Sequence, residues 1–81
     1  MTRAEKEVAK KKLGAAIEKI RKKKKWTLRQ VEANCSLDNS KIAKIEDGMI
    51  NISFTTFVEI SRGLEVTPAD LIHGVFGAKE F

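Results

Sequence analysis

The chain has 81 residues, of which 42% are hydrophobic and 33% are charged, and its net charge is +5. This length predicts a single domain near the lower size limit for a self-sufficient core, and this composition excludes a disordered chain. One cysteine and one histidine exclude an internal disulfide and offer no Cys and His cluster for a metal. No stretch has the length of a membrane span or the apolar run of a signal peptide. We expect a cytoplasmic protein without metal or cofactor.

The charge is concentrated at the start of the chain. Residues 1–25 contain eleven Lys and Arg against three Glu, a net charge of +8, so residues 26–81 carry a net charge of −3. A basic segment of this kind favours a polyanionic partner. The basic run at 21–25 also has a structural interpretation, because cations stabilise the negative end of a helix. Both interpretations remain open at this point.

Helical patterns dominate the first half of the chain. Apolar residues recur every three or four positions and predict a first helix from about residue 5 to 24. A Thr-x-x-Gln capping box at Thr27 then predicts a short helix over about 28–35. Asp38 is the predicted cap of a third helix, and Gly48 is its predicted end because glycine readily takes positive φ.

The second half repeats this pattern twice. Ser53 is the predicted cap of a fourth helix that ends at Gly63, and Thr67 is the predicted cap of a fifth that ends at Gly74 or Gly77. The predicted buried side of the fourth helix consists of Phe54, Phe57, Val58 and Ile60. The predicted apolar stripe of the fifth consists of Leu71, Ile72, Val75 and Phe76. No strand-like alternation competes with these signals, so the predicted fold class is all-α, a compact five-helix bundle.

The third helix has an unusual outer side. Ile42 and Ile45 share its inner side at 100° per residue. The outer side carries Asn39, Ser40, Lys41, Ala43, Lys44 and Asp47. Small and medium polar groups at the front of a helix fit a DNA major groove and reach base edges. The short break around Ser36 lets the second and third helices cross steeply, which frees the third for that entry.

Residues 13–72 resemble the helix-turn-helix domain of the lambdoid phage repressor and Cro family, also called the xenobiotic-response-element type. The matching segments are "LGAAIEKIR", "WTLRQVEANCSLDNSKIAKIEDG" and "SFTTFVEISRGLEVTPADLI", and the I-x-x-I-E-x-G ending at Gly48 is the most specific. The resemblance implies a lambda-repressor-like fold. It also divides the chain into a basic extension of the first helix at 1–12, the DNA-binding domain at 13–72, and a C-terminal tail at 73–81 that is a possible dimer contact.

The resemblance also implies roles for individual residues. The third helix would read bases, and the second would brace against the phosphate backbone. The implied base-reading residues are Asn39, Ser40, Lys41 and Lys44. The candidate phosphate-contacting residues are Lys25, Thr27, Arg29, Asn51 and Thr55. Structural capping is an equal alternative for Asn51 and Thr55, and Arg21 and Glu46 match a family salt bridge that ties the first helix to the third.

Four positions depart from the family pattern. Leu28 and Asp47 replace a common Gln and Asn, Glu32 replaces a small residue, and Ser36 replaces the glycine of the turn. A carboxylate at position 32 would repel phosphate unless it turns away or pairs with a lysine or with Arg29. Leu28, Glu32 and Asp47 favour an alternative function, an antitoxin or other protein-binding module that uses the same fold.

The leading prediction is a small repressor or controller protein that regulates transcription by binding operator DNA as a homodimer. The dimer is predicted from apolar residues too numerous for a short last helix to bury, although the tail could instead fold over its own core. These predicted interface residues are Ile72, Val75, Phe76 and Phe81. No catalytic constellation is evident, so we do not expect an enzyme. Cys35 is predicted to be a core residue rather than a redox sensor.

Overall fold

Five helices make up most of the chain in the computed structural model, which describes residues 1–77. The helices are α1 (Arg3–Lys23), α2 (Leu28–Ala33), α3 (Asn39–Glu46), α4 (Phe54–Gly63) and α5 (Pro68–Phe76). No strand occurs within residues 1–77, and the all-α prediction is confirmed. Every helix is preceded by a capping residue whose side chain accepts a hydrogen bond from a backbone N–H of the first turn. These caps are Thr2, Thr27, Asp38, Ser53 and Thr67.

Glycines serve two different purposes at the helix ends. Gly48 after α3 and Gly77 after α5 have φ angles of 69° and 71°, in the left-handed region that glycine enters at little cost. Gly63 is the last residue of α4, as predicted. The residue with positive φ after this helix is not Gly63 but Glu65, where φ is 56°. A Cβ atom at Gly63 would lie 2.8 Å from Cγ1 of Val31. Gly63 therefore allows α2 to pack closely against α4.

The core forms where α1 contacts α3 and α5 while α2 contacts α3 and α4. Every helix contributes at least one buried apolar side chain, so the five elements share one core. The buried cluster consists of Ala16, Ile17, Val31, Ile42, Ile45, Ile60, Leu64 and Leu71. None of the helices within the described residues is both long and apolar enough to cross a membrane.

The predicted inner side of α4 is wrong at Phe54, whose side chain is 76% exposed. The observed inner stripe follows Phe57, Ile60, Ser61 and Leu64, the spacing of one side of a helix. Ser61 is 1% exposed, and its hydroxyl donates to a backbone carbonyl one turn earlier, 2.8 Å away. Phe54 is the first residue of α4, and the neighbouring elements leave most of its side chain open to solvent.

The apolar stripe of α5 is covered unevenly. Leu71 is fully buried, Val75 and Phe76 are half-buried, and Ile72 is 43% exposed. The fourth predicted interface residue, Phe81, lies outside the described residues. The apolar side of α5 is therefore buried at one edge and open at the other.

Candidate nucleic-acid interface

The third helix has two contrasting sides. Ile42 and Ile45 are 0% and 1% exposed and form its inner side. The other side, which we call the front of α3, consists of Asn39, Ser40, Lys41 and Lys44. Asn39 is half-buried at the first helical position and the other three are exposed. Within residues 1–77, none of these four side chains makes a hydrogen bond or an ion pair.

Two carboxylates occupy the N-terminal end of α3. Oε2 of Glu32 accepts a hydrogen bond of 2.8 Å from the backbone N–H of Asn39. Oδ1 of Asp38 accepts another of 2.8 Å from the backbone N–H of Lys41. Negative groups are favourable at this end because the unpaired N–H groups of a helix carry partial positive charge. Glu32 therefore turns toward α3 and joins the second helix to the third.

The turn between α2 and α3 is fastened to α4. The backbone N–H and the hydroxyl of Ser36 both donate to Oε1 of Glu59, each at 2.9 Å. The backbone hydrogen bond, followed by the hydroxyl bond, lowers the pKa of the Glu59 carboxyl. Nδ2 of Asn34 donates to the carbonyl of Gly63 at 3.2 Å. Cys35 is half-buried in this turn, and no group of three metal-binding side chains occurs among the described residues.

The inner side of α3 lies directly on the backbone of α1. A Cβ atom at Gly14 would overlap the backbone carbonyls of Ile45 and Glu46, so only glycine allows this approach. A Cβ atom at Gly48 would lie 2.8 Å from Cγ of Lys11. The absence of a Cβ atom at Gly14 and Gly48 thus allows the end of α3 to lie close to α1.

Arg21 and Glu46 form a bidentate ion pair between α1 and α3. Nε of Arg21 lies 2.7 Å from Oε2 of Glu46, and Nη2 lies 2.9 Å from Oε1. The two side chains are only 12% and 4% exposed, and the hydrogen bonds to Glu46 raise the pKa of Arg21. Nη1 donates to the carbonyl of Trp26 at 2.9 Å. One guanidinium group therefore links α1, α3 and the segment that enters α2.

The basic run at 21–25 divides between local contacts and solvent. Nζ of Lys22 lies 3.3 Å from Oε1 of Glu18, and Nζ of Lys24 lies 4.8 Å from the centre of the Trp26 ring, a cation–π distance. The two lysines whose side chains make no such contact within the described residues are Lys23 and Lys25. Lys25 adjoins the cap of α2 and has a φ angle of 59°. Lys22 and Lys24 therefore make local contacts, whereas the side chains of Lys23 and Lys25 have no partner within residues 1–77 and are available to a polyanion.

The other candidate phosphate-contacting residues differ in which of their hydrogen-bonding groups lack a partner. Thr27 and Gln30 form a reciprocal capping box, in which the Thr27 N–H donates to Oε1 of Gln30 at 2.6 Å. That N–H is engaged, whereas the Thr27 hydroxyl accepts at 3.2 Å and keeps its own hydrogen to donate. Arg29 and Asn51 are exposed and have no side-chain partner within residues 1–77. The Thr55 hydroxyl lies 3.1 Å from the capping hydroxyl of α4.

The supporting roles of three residues were not predicted from the sequence. Gly14 had a readable signal, because glycine inside a helix costs about 1 kcal/mol relative to alanine and its presence there often indicates close packing. No sequence signal indicated the role of Glu59, because its hydrogen bonds with Ser36 depend on how α4 approaches the turn. For Glu32 the sequence indicated a conflict with phosphate, but not that α3 itself would accept the carboxylate.

A short turn joins α2 to α3 and is hydrogen-bonded to α4, and the outer side of α3 is exposed. This arrangement defines a helix-turn-helix protein. The family described as "Helix-turn-helix domain" matches residues 14–76, which is most of the chain. The chain belongs to this family, and the resemblance to the Cro and repressor type is confirmed.

Two solved structures share the fold. The clp gene regulator ClgR from Corynebacterium glutamicum is 22% identical with a TM-score of 0.76, over 88% of this chain and 92% of that one. The restriction-modification controller protein C.AhdI from Aeromonas hydrophila is 22% identical with a TM-score of 0.71, over 76% of this chain and 94% of that one. A comparison with curated proteins gave no significant match.

Proposed function

We propose that this protein is a cytoplasmic, sequence-specific transcription regulator that reads operator DNA through the front of α3. The observation that carries the proposal is the exposure of Ser40, Lys41 and Lys44 on a helix whose other side is buried. Lysine and serine side chains donate to base edges in the major groove, lysine most often to guanine. An ion pair joins α3 to α1, and two glycines allow the helices to pack closely. The side chains on the front of α3 are therefore presented from a fixed backbone position.

The phosphate contacts in this proposal come from the start of α2 and the start of α4. Lys25 and the Thr27 hydroxyl lie at the start of α2, Arg29 lies in its first turn, and Asn51 and Thr55 lie around the start of α4. Such contacts fix the position of a protein on the duplex and supply affinity that falls as salt rises. Asn51 is the stronger candidate of the last two, since the Thr55 hydroxyl already has a partner.

The proposed regulator acts as a homodimer that associates through α5 and the start of α4. Ile72, Val75 and Phe76 line an apolar groove of about 570 Å³, and the exposed Phe54 lines the same groove. Phe54 enlarges the predicted interface, which was based on α5 and the tail alone. Asn51 also lines this groove, so a second copy seated there would lie next to the proposed DNA surface. A two-fold pair would place its reading helices about 34 Å apart on a near-palindromic site.

Selection from a random duplex library tests the sequence-reading function. The wild-type protein is expected to enrich near-palindromic sequences with half-sites about one helical turn apart. The enriched duplex should then compete with bulk DNA at least a thousandfold better, the lower end for specific recognition. A protein that retains library members without enriching any sequence would contradict the proposal.

Sedimentation equilibrium tests the dimer separately. Phe54→Ser should weaken self-association, because it removes an exposed aromatic side chain from the groove. Met49→Ser is the matched control, since Met49 is 64% exposed but does not line the groove. A wild-type chain that stays monomeric at high micromolar concentration would contradict the homodimer.

A further inference from the structure

We propose that Glu32 is a positioning residue for DNA recognition, one that keeps the leading end of α3 from binding phosphate. The inference rests on the proposed function, because it concerns how the same helix meets DNA. Glu32 lies on α2, yet its carboxylate accepts from the backbone N–H of Asn39, the first residue of α3, at 2.8 Å. It is half-buried between the two helices.

The N-terminal end of a helix attracts phosphate groups, because several N–H groups there have no partner within the helix. In this protein the N–H groups of Asn39 and Lys41 are already engaged by Glu32 and Asp38. Asp38 is the ordinary cap of its own helix. Glu32 is different, since it comes from the preceding helix and the helix does not need it to begin.

This position has two consequences for binding. Glu32 fixes the first turn of α3, which carries three of the four proposed base-reading residues. It also occupies an N–H that would otherwise be free to hold a DNA phosphate at the leading end of the helix. A phosphate bound there adds affinity for every sequence and none for a particular one. Engagement of that N–H therefore favours the complex in which side chains reach the bases.

Two substitutions separate the hydrogen bond from the charge. Glu32→Gln keeps an oxygen acceptor for the Asn39 N–H and removes only the negative charge. Glu32→Ala removes both and leaves the N–H free. Asp70→Asn is the matched control, because it makes the same acid-to-amide change in the first turn of α5, a helix with no proposed DNA contact.

The experiment measures affinity for the selected operator and for a scrambled duplex across a series of salt concentrations. For Glu32→Ala we expect the ratio of the two affinities to fall about tenfold, because the affinity for scrambled DNA should rise much more than the affinity for the operator. The salt dependence on scrambled DNA should steepen by about one unit of log K per log salt, the contribution of one added phosphate contact. For Glu32→Gln both affinities should rise by a similar factor, with the ratio within about twofold of wild type. Asp70→Asn should change neither quantity.

Circular dichroism of each variant shows whether the fold persists. If Glu32→Ala is folded and keeps both the wild-type ratio and the wild-type salt dependence, the inference is overturned. It is also overturned if Glu32→Gln loses as much discrimination as Glu32→Ala, because the charge alone would then explain the effect. A wild-type protein with no preferred sequence is a separate outcome, which would overturn the proposed function and this inference together.

Discussion

The two sides of α3 differ in burial and in polarity. The back of α3, which consists of Ile42, Ile45 and Glu46, is buried against α1. The front of α3 carries polar side chains that have no partner within the described residues. Substitutions at the back are expected to change stability, whereas substitutions at the front are expected to change only what the helix binds. The difference teaches that burial of one side of this eight-residue helix leaves the other side free to carry polar groups without partners.

Loss of the ion pair at the back of α3 should have the largest effect. Glu46→Ala leaves the Arg21 guanidinium largely buried and without its anion, which costs about 3–5 kcal/mol in comparable pairs. Urea unfolding should therefore show a much lower midpoint for this variant. Glu18→Ala is the control, because it breaks an exposed pair with Lys22 and should cost no more than about 1 kcal/mol.

A variant without either charge tests whether the unpaired Arg21 causes the loss of stability in Glu46→Ala. Replacement of both partners by apolar residues, Arg21→Met with Glu46→Leu, should restore part of the lost stability, because no buried charge then remains unpaired. A Glu46→Ala protein as stable as wild type would show that the pair does not hold the helix.

The close approach of α1 and α3 gives the next largest effect. Gly14→Ala places a methyl group against two backbone carbonyls of α3, and overpacking of this kind costs about 1–3 kcal/mol. Gly74→Ala is a matched control in a helix interior, where the new Cβ would meet its nearest neighbour at 3.8 Å. It should stabilise the protein by about 0.5–1 kcal/mol. Thermal unfolding would contradict the account if both variants shifted in the same direction.

The brace between the turn and α4 should give the smallest effect, and one that depends on pH. The folded pKa of Glu59 lies below its ordinary value of 4.5, so its carboxylate stabilises the fold above that pH. This contribution is lost as the pH falls below 4.5 and the folded group becomes protonated. Wild type should therefore be more stable than Glu59→Gln at pH 7, and the difference should shrink as the pH falls below 4.5. A difference that is constant with pH would contradict the role of the charge.

Local signals made the fold predictable. The caps Thr27, Asp38, Ser53 and Thr67 act on N–H groups of their own first turn, so neighbouring residues in the sequence suffice to identify them. Positive φ at Gly48 and Gly77 is likewise a property of one residue. These signals define where helices begin and end, and with the apolar spacing they define five helices.

The remaining features depend on how the helices meet. Phe54 continues an apolar pattern, but its exposure depends on which elements pack against the first turn of α4, which the pattern does not contain. The bond from Glu32 to Asn39 joins two helices across the turn, and the repulsion expected from sequence assumed that the carboxylate faced outward. Gly14 lay between these cases, since an interior glycine indicates close packing without identifying the neighbour.

The most direct test compares Lys44→Ala at the front of α3 with Lys25→Gln at the start of α2. Competition binding should measure each variant on the selected operator and on scrambled DNA, with unfolding midpoints recorded in parallel. We expect Lys44→Ala to lower the operator preference about tenfold or more with stability changed by no more than about 0.5 kcal/mol. Lys25→Gln should weaken both duplexes alike and reduce the salt slope by about 1. If Lys44→Ala also weakened both duplexes by the same factor, the front of α3 would not read bases.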